Sequence, residues 1–296
     1  MLTPGTDAPD ALEGSDTPAA SDTPGGPDTP ATVPAAVLAA PRPEQPSAFT
    51  ACRVFALRAL LKIRHVPEQL SDVIAVPIIF TLMFTYLFGG ALAGSTHRYL
   101  QTLLPGTLVM AVLLATMYTG VNLNGDLAKG VYDRFRTLPM WRPAPIVGAL
   151  LGDVARYVLS ALLVVGLGLV LGYAPHGGVA GVALAVGLVV AFALALSWVF
   201  CWLGLVLRSP NAVSNLAVLV LFPLTMASNT FVDPDTMPGW VRAVVGANPV
   251  SHLVTAVRDA AGGRADGAQI GAVLAASALL IAVFAPLTMR AYARKA

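Results

Sequence analysis

The chain has 296 residues, of which 56% are hydrophobic and 11% charged, with a formal net charge of +2. That balance excludes an ordinary soluble domain. Apolar runs of about twenty residues recur, the length that crosses a hydrocarbon core roughly 30 Å thick. They are continuous rather than alternating, which excludes a closed β-barrel and leaves an all-α polytopic membrane protein.

The small net charge averages two unlike regions. Residues 1–48 carry Asp7, Asp10, Glu13, Asp16, Asp22, Asp28 and Glu44 against one base, Arg42, so the rest of the chain is basic. Asp-Thr-Pro recurs at Asp16, Asp22 and Asp28 in a background of Pro, Ala, Gly and Thr. Such a stretch has no apolar face to bury and predicts a disordered cytoplasmic tail. It lacks the basic start and apolar core of a secretory signal, and no cleavage is expected. Residues 49–296 form the membrane domain.

That domain opens with Ala51–His65, where Arg53, Arg58, Lys62 and Arg64 interleave with Val54, Phe55, Leu57, Leu60, Leu61 and Ile63. The segment is too short and too basic to span. It suits an amphipathic helix lying along cytoplasmic headgroups of the bilayer, and no nucleic-acid partner is expected. Six spans follow: Ser71–Gly89, Leu104–Val121, Ile146–Gly172, Val179–Leu207, Ala212–Asn229 and Ile270–Met289. The four bases before span one, Lys129, Arg134, Arg136 and Arg142 between spans two and three, Arg208 between spans four and five, and Arg290, Arg294 and Lys295 after span six all fall on one side. Bases on the other side are diluted by Asp233, Asp235, Asp259 and Asp266. The positive-inside rule places both termini in the cytoplasm of a multi-pass plasma-membrane protein.

Between spans two and three lies the one densely charged segment, Asn122–Pro143. Its spacing predicts a helix over Gly125–Leu138, capped by Asn124 and stopped by Pro139. Asp126, Lys129, Asp133 and Arg136 then form a stripe of alternating sign, while Leu127, Val131, Phe135 and Leu138 form an apolar stripe. Within span three, Asp153 and Arg156 stand at i and i+3. Near the cytoplasmic end they pair with each other and reach the headgroups, a structural role preferred over a proton relay. Gly148–Gly152 and Gly168–Gly172 give span three two faces for close packing, in a dimer or within the bundle.

The polar groups available to line a pathway are neutral: Tyr118 and Asn122 at the end of span two, and Ser214, Asn215 and Asn229 along span five. The outer connection, about Thr230 to Gln269, contains apolar pieces too short to cross. A re-entrant outer hairpin is expected there, with a surface loop of interfacial helices as the alternative.

Other chemistry is missing. There is no GxxxxGK[ST], and none of Lys62, Lys129 and Lys295 follows a glycine, so no P-loop is present. Cys52, Cys201 and the four histidines show no metal-ligand spacing, and no catalytic grouping appears. The scarcity of buried acids argues against an ion-coupled carrier. Transport would need energy from outside the chain.

An N-terminal amphipathic helix, six spans and a charged cytoplasmic helix after span two resemble the ABC-2 type permeases. The stretch D-L-A-K-G-V-Y-D-R-F-R-T-L-P-M, followed by V-G-A-L-L-G-D-V-A-R, is similar to the daunorubicin/doxorubicin-resistance (DrrB-like) membrane subunits. The resemblance covers Phe49 to the C-terminus. It implies an exporter of two permeases, expected as a homodimer, and two separate ATPases, with ATP and Mg held by the partner and none by this chain. It also implies that Asp126, Lys129, Gly130, Asp133, Arg134, Phe135, Arg136 and Leu138 form a coupling helix on the ATPase. The cargo would be a hydrophobic or amphipathic small molecule. A lipid or lipid-linked saccharide permease, or a non-transporting membrane scaffold, are the alternatives.

Overall fold

The computed structural model describes Val54, Leu57 and residues 67–90, 94–131, 143–231 and 238–295. Eight helices and no strand occur among the described residues: α1 Pro67–Met83, α2 Thr96–Ala128, α3 Ala144–Val170, α4 Gly178–Val206, α5 Pro210–Met226, α6 Gly239–Ala247, α7 Pro249–Ala261 and α8 Gly267–Lys295. A wider π-helical turn, Phe84–Phe88, extends α1. The acidic tail lies outside the described residues. So does the expected amphipathic helix, apart from Val54 and Leu57, which are helical and exposed.

Helix starts follow local chemistry. Ser95 accepts from the Arg98 amide ahead of α2, and Ser209 accepts from the Ala212 amide ahead of α5. Each hydroxyl satisfies a backbone donor that has no carbonyl four residues back. In α5 and α7 a proline fills the first helical position, where its missing N–H costs nothing.

Four helices, α2, α3, α4 and α8, are long and apolar enough to cross a membrane. At the expected first and fifth spans the apolar helices are shorter, Ala75–Phe88 and Pro210–Met226. Most observed ends fall within four residues of the expected ones. The exceptions are the end of α8, which runs to Lys295 rather than Met289, and both ends of span two. The helix of span two does not stop at Val121 but continues through Asn122, Asn124 and Asp126 to Ala128. Polar side chains end a hydrophobic run without ending a helix, because the backbone bonds are indifferent to side-chain polarity. The break comes instead at Lys129–Gly130, where Gly130 adopts φ 65°. The helix expected over Gly125–Leu138 is therefore cut, and Asn124 is not its cap. Asp126 and Lys129 do not share one continuous helical stripe with the residues after Gly130, and residues 132–142 lie outside the described residues.

α2 is the axis of the bundle. Some 78% of its most apolar stretch is buried, against 11% for α8, so α2 is core and α8 periphery. α1, α3, α4, α5 and α7 all pack on α2, while α4 also packs on α8, α7 and α3. The α2–α4 crossing is close because both helices present glycine there. A Cβ on Gly120 would stand 2.4 Å from the Phe200 carbonyl oxygen, and one on Gly204 would stand 2.6 Å from that of Gly120. Gly168 of α3 makes room for the Leu104 side chain of α2, so that small-residue face is used inside the bundle. Phe192, Phe200, Tyr157 and Leu113 fill the centre.

Candidate functional site

A cavity of about 320 Å³ lies between α1, α2 and α5, walled by Val76, Pro77, Ala111, Leu114, Ala115, Met117, Tyr118 and Val218. Its volume falls in the range of small-molecule sites. The helix period explains the wall: Ala111, Ala115 and Tyr118 repeat at i, i+4 and i+7 on one face of α2. The two alanines leave the space that a larger side chain would occupy. Seven of the eight wall residues are apolar, and none is charged. A smaller void of about 10 Å³ continues between α1 and α2 past Phe80, Thr107 and Met110.

Behind this wall runs a buried polar layer. Asp153 of α3 receives Arg156 Nη2 on Oδ1 at 2.5 Å and the Thr119 hydroxyl of α2 on Oδ2 at 2.5 Å. Thr119 also meets the Tyr157 hydroxyl at 2.7 Å, and Tyr157 meets Ser197 of α4 at 2.7 Å. The Arg156 guanidinium stands 5.8 Å from the Tyr118 ring centre and 5.9 Å from that of Tyr157. Asp153 and Arg156 pair as expected, but they do not reach toward headgroups: Arg156 is 3% exposed and Asp153 7%. Their depth inside α3 and the facing Thr119 and Tyr118 draw them into the bundle instead.

Five residues beyond Thr119, Asn124 Nδ2 donates to the carbonyls of Gly204 and Leu207, both at 2.8 Å. It closes the end of α4 from within α2.

At the opposite end of the bundle, Asn248 joins three helices. Its Oδ1 accepts from the Val250 amide at 2.9 Å, and its Nδ2 donates to the carbonyls of Leu224 and Ala227 at 2.7 and 2.8 Å. Val250, Leu253, Val254 and Val257 of α7 are fully buried. Arg258 Nη2 donates to the carbonyls of Thr102 and Asn229, and the Gly177 amide donates to Ala261. Tyr173, in the turn after α3, titrates above the usual tyrosine range because burial disfavours the phenolate, an effect that Arg258 partly offsets.

The structure separates the expected site residues. Tyr118 lines the cavity, and Asn122 is half-buried one turn further along α2. Ser214, half-buried, and Asn215, exposed, stand one turn before Val218 on α5. Asn229 is elsewhere, at the far end, where its Nδ2 donates to Thr255 Oγ1 at 2.8 Å. Asp126 is half-buried in the last turn of α2, Lys129 is exposed, and Gly130 forms the turn. Asp133, Arg134, Phe135, Arg136 and Leu138 lie outside the described residues. Thr119, Tyr157, Ser197 and Asn248 were not singled out from sequence. For Tyr157 a signal existed, since it sits at i+4 from Asp153 on the face of α3 that carries the ion pair.

The family model for ABC-2 type transporters matches residues 50–261. The daunorubicin resistance ABC transporter permease protein DrrB1 of Streptomyces coeruleorubidus is 51% identical over 254 residues, which is 86% of this chain and 90% of that protein. The probable doxorubicin resistance ABC transporter permease protein DrrC of Mycobacterium tuberculosis is 21% identical over 82% of this chain and 91% of its own length. The doxorubicin resistance permease DrrB of the same species is 27% identical over 66% of this chain and 70% of its own length.

Proposed function

We propose that this chain, which belongs to the ABC-2 type transporter family as a multi-pass membrane permease, moves a hydrophobic or amphipathic compound such as a drug or antibiotic out of the cell. Likeness over nearly the whole chain to a permease named for daunorubicin resistance carries this reading. The cavity between α1, α2 and α5 is the proposed substrate site. It is large enough for a small ligand, and its wall selects by apolar contact with one aromatic hydroxyl.

Energy comes from a separate ATPase subunit that holds ATP and magnesium. The coupling segment is Gly125–Leu138, in which Asp126, Lys129, Gly130, Asp133, Arg134, Phe135, Arg136 and Leu138 meet that subunit. The basic residues put this segment and both termini in the cytoplasm. The Gly130 turn supports the role, because its left-handed backbone ends α2 abruptly at the start of this segment. Two copies of the chain assemble with two ATPases. Residues 1–48 remain outside the 49–296 membrane domain.

Six spans are proposed, with α1 and α5 as the shorter two. α6 and α7 form the re-entrant outer hairpin. α7 starts where Asn248 bonds the last carbonyls of α5, and it ends beside Gly177 at the outer turn. Its 13 residues are about 20 Å long, and its buried face of Val250, Leu253, Val254 and Val257 is packed in protein, as a re-entrant helix requires.

Purification of this chain together with a co-expressed ATPase subunit, followed by reconstitution in lipid vesicles, tests the function. A hydrophobic aromatic drug is expected to stimulate ATP hydrolysis several-fold. Stimulation by lipid-linked glycans alone would make it a lipid-saccharide exporter. Failure of any ATPase to bind would make it a scaffold.

A further inference from the structure

Helix α6 has three unlike sides. Val245, 3% exposed, seats it against α7, and His252 Nε2 stands 3.0 Å from the Gly246 carbonyl oxygen. Arg242 and Gly246, four residues apart, make a polar side. Trp240, Ala243, Val244 and Ala247 share the third side, which is apolar, by their spacing of three, four and seven. That side is open, with Trp240 76% exposed and Val244 54%. Among the described residues, no side chain or carbonyl bonds the Trp240 indole.

The level of α6 is set by the residue after it. Asn248 bonds the Leu224 and Ala227 carbonyls, so α6 joins the bundle where α5, an apolar helix of the membrane domain, comes to its end. Just before that joint α5 leaves Leu219 and Phe222 exposed, the side chains that meet lipid in a multi-pass protein. The open side of α6 continues this lipid-contacting surface at its edge. It is too small to hold a protein by itself. Nine residues make a helix about 13 Å long and 10 Å across, on the order of 130 Å², against roughly 800 Å² from each partner in a stable complex. A lipid surface sets no such minimum. Tryptophan suits the boundary, because its ring is apolar while its N–H finds the carbonyl and phosphate oxygens of headgroups. Arg242, exposed on the adjacent side, carries the charge that a phosphate layer attracts.

We infer that α6 is an interfacial anchor whose open side lies in the lipid of the outer leaflet, with Trp240 at the level of the glycerol and ester groups and Arg242 at the phosphates. Lipid contact then holds the start of α7 at a fixed height, because Gly246 and Asn248 tie α6 to α7 and α5. The choice of leaflet rests on the outer placement of the hairpin in the proposed topology, while contact with a lipid surface goes beyond it.

The test uses the full chain in phosphatidylcholine nanodiscs. Emission of the Trp240→Phe protein, subtracted from that of wild type, leaves the signal of Trp240. Phosphatidylcholine brominated high on its acyl chains is expected to remove about half of that signal, since an interfacial apolar face lies about 5–10 Å deep. Bromine near the chain ends and aqueous iodide are each expected to remove much less. Strong quenching by iodide with none by lipid would put α6 in water and overturn the inference. Quenching by no agent would mean that protein, such as a second copy of the chain, covers Trp240, which overturns it as well. So would quenching that is strongest from the chain ends, because Trp240 would then lie in the hydrocarbon centre. Gly246→Cys, on the polar side with open space around its Cβ, reports the leaflet. A membrane-impermeant maleimide is expected to label it on intact cells well above wild type, which has only Cys52 and the buried Cys201. Background labelling with shallow quenching retained would overturn the outer topology and the leaflet inferred from it. Labelled Gly246→Cys without shallow quenching would overturn the lipid anchor alone.

Discussion

Asn124 of α2 donates from Nδ2 to the Leu207 carbonyl at 2.8 Å, a bond between residues 83 apart in the chain. The second proton of the same amide goes to Gly204 at 2.8 Å. Gly204 lies in the last turn of α4 and Leu207 is the residue that follows it, where no intrahelical donor remains for either carbonyl. An asparagine inside one helix therefore serves as the terminal cap of another.

Asn124→Leu leaves those carbonyls without their donor, and it is expected to lower stability by about 1–3 kcal/mol. Asn124→Asp is expected to be worse, because a carboxylate oxygen faces two carbonyl oxygens. Thermal unfolding in detergent, followed by tryptophan fluorescence, reads both changes. Equal midpoints for all three proteins would rule out the capping role.

The α2–α4 crossing gives a second expectation. Gly120→Ala and Gly204→Ala each place a Cβ against backbone oxygen of the facing helix, and backbone cannot rotate aside. Each is expected to cost about 1–3 kcal/mol. Gly187→Ala, on α4 with open space around its Cβ, is the control and is expected to leave the unfolding midpoint unchanged or slightly raised.

How much of this was legible beforehand differs between fold and site. Hydropathy reads the solvent around a segment, so the ends of α3 and α4 fell within two residues of expectation. The end of α2 did not, because Asn122, Asn124 and Asp126 mark where the surroundings become polar and not where the backbone turns. The turn itself is set by Gly130. The cavity was half legible: Tyr118 stood out as polar, while Ala111 and Ala115 matter by being small, a property with no signal in an alanine-rich chain. The layer of Thr119, Asp153, Tyr157 and Ser197 joins three helices, and spacing along one helix does not reveal partners on another.

That layer supplies a third expectation. Removing one member of a buried ion pair strands the other, at a cost of about 3–5 kcal/mol. Asp153→Leu and Arg156→Leu are each expected to reduce the yield of monodisperse protein sharply. The double variant is expected to recover much of it, because no unpaired charge remains. Losses that simply add in the double variant would show that the two residues do not act as a pair.

A fourth expectation concerns the segment beyond Gly130. Arg134→Glu reverses a charge and Phe135→Ala removes an apolar anchor from the proposed contact with the ATPase subunit. Both are expected to abolish export while membrane insertion and expression stay at wild-type levels. Co-purification of the ATPase and efflux of a fluorescent substrate measure the two halves of the claim. If both persist in both variants, the segment is not the coupling site.

Asn248 bears on how such a molecule can move. One side chain closes the end of α5 and starts α7, so the two helices share a single joint. α5 also walls the cavity through Val218. Any tilt of α5 produced by a molecule pressing on that wall must either rupture the Asn248 bonds or drag the buried α7 with it. In the proposed topology, filling the chamber and unsealing the outer face are thus linked by a lever whose pivot is one amide group.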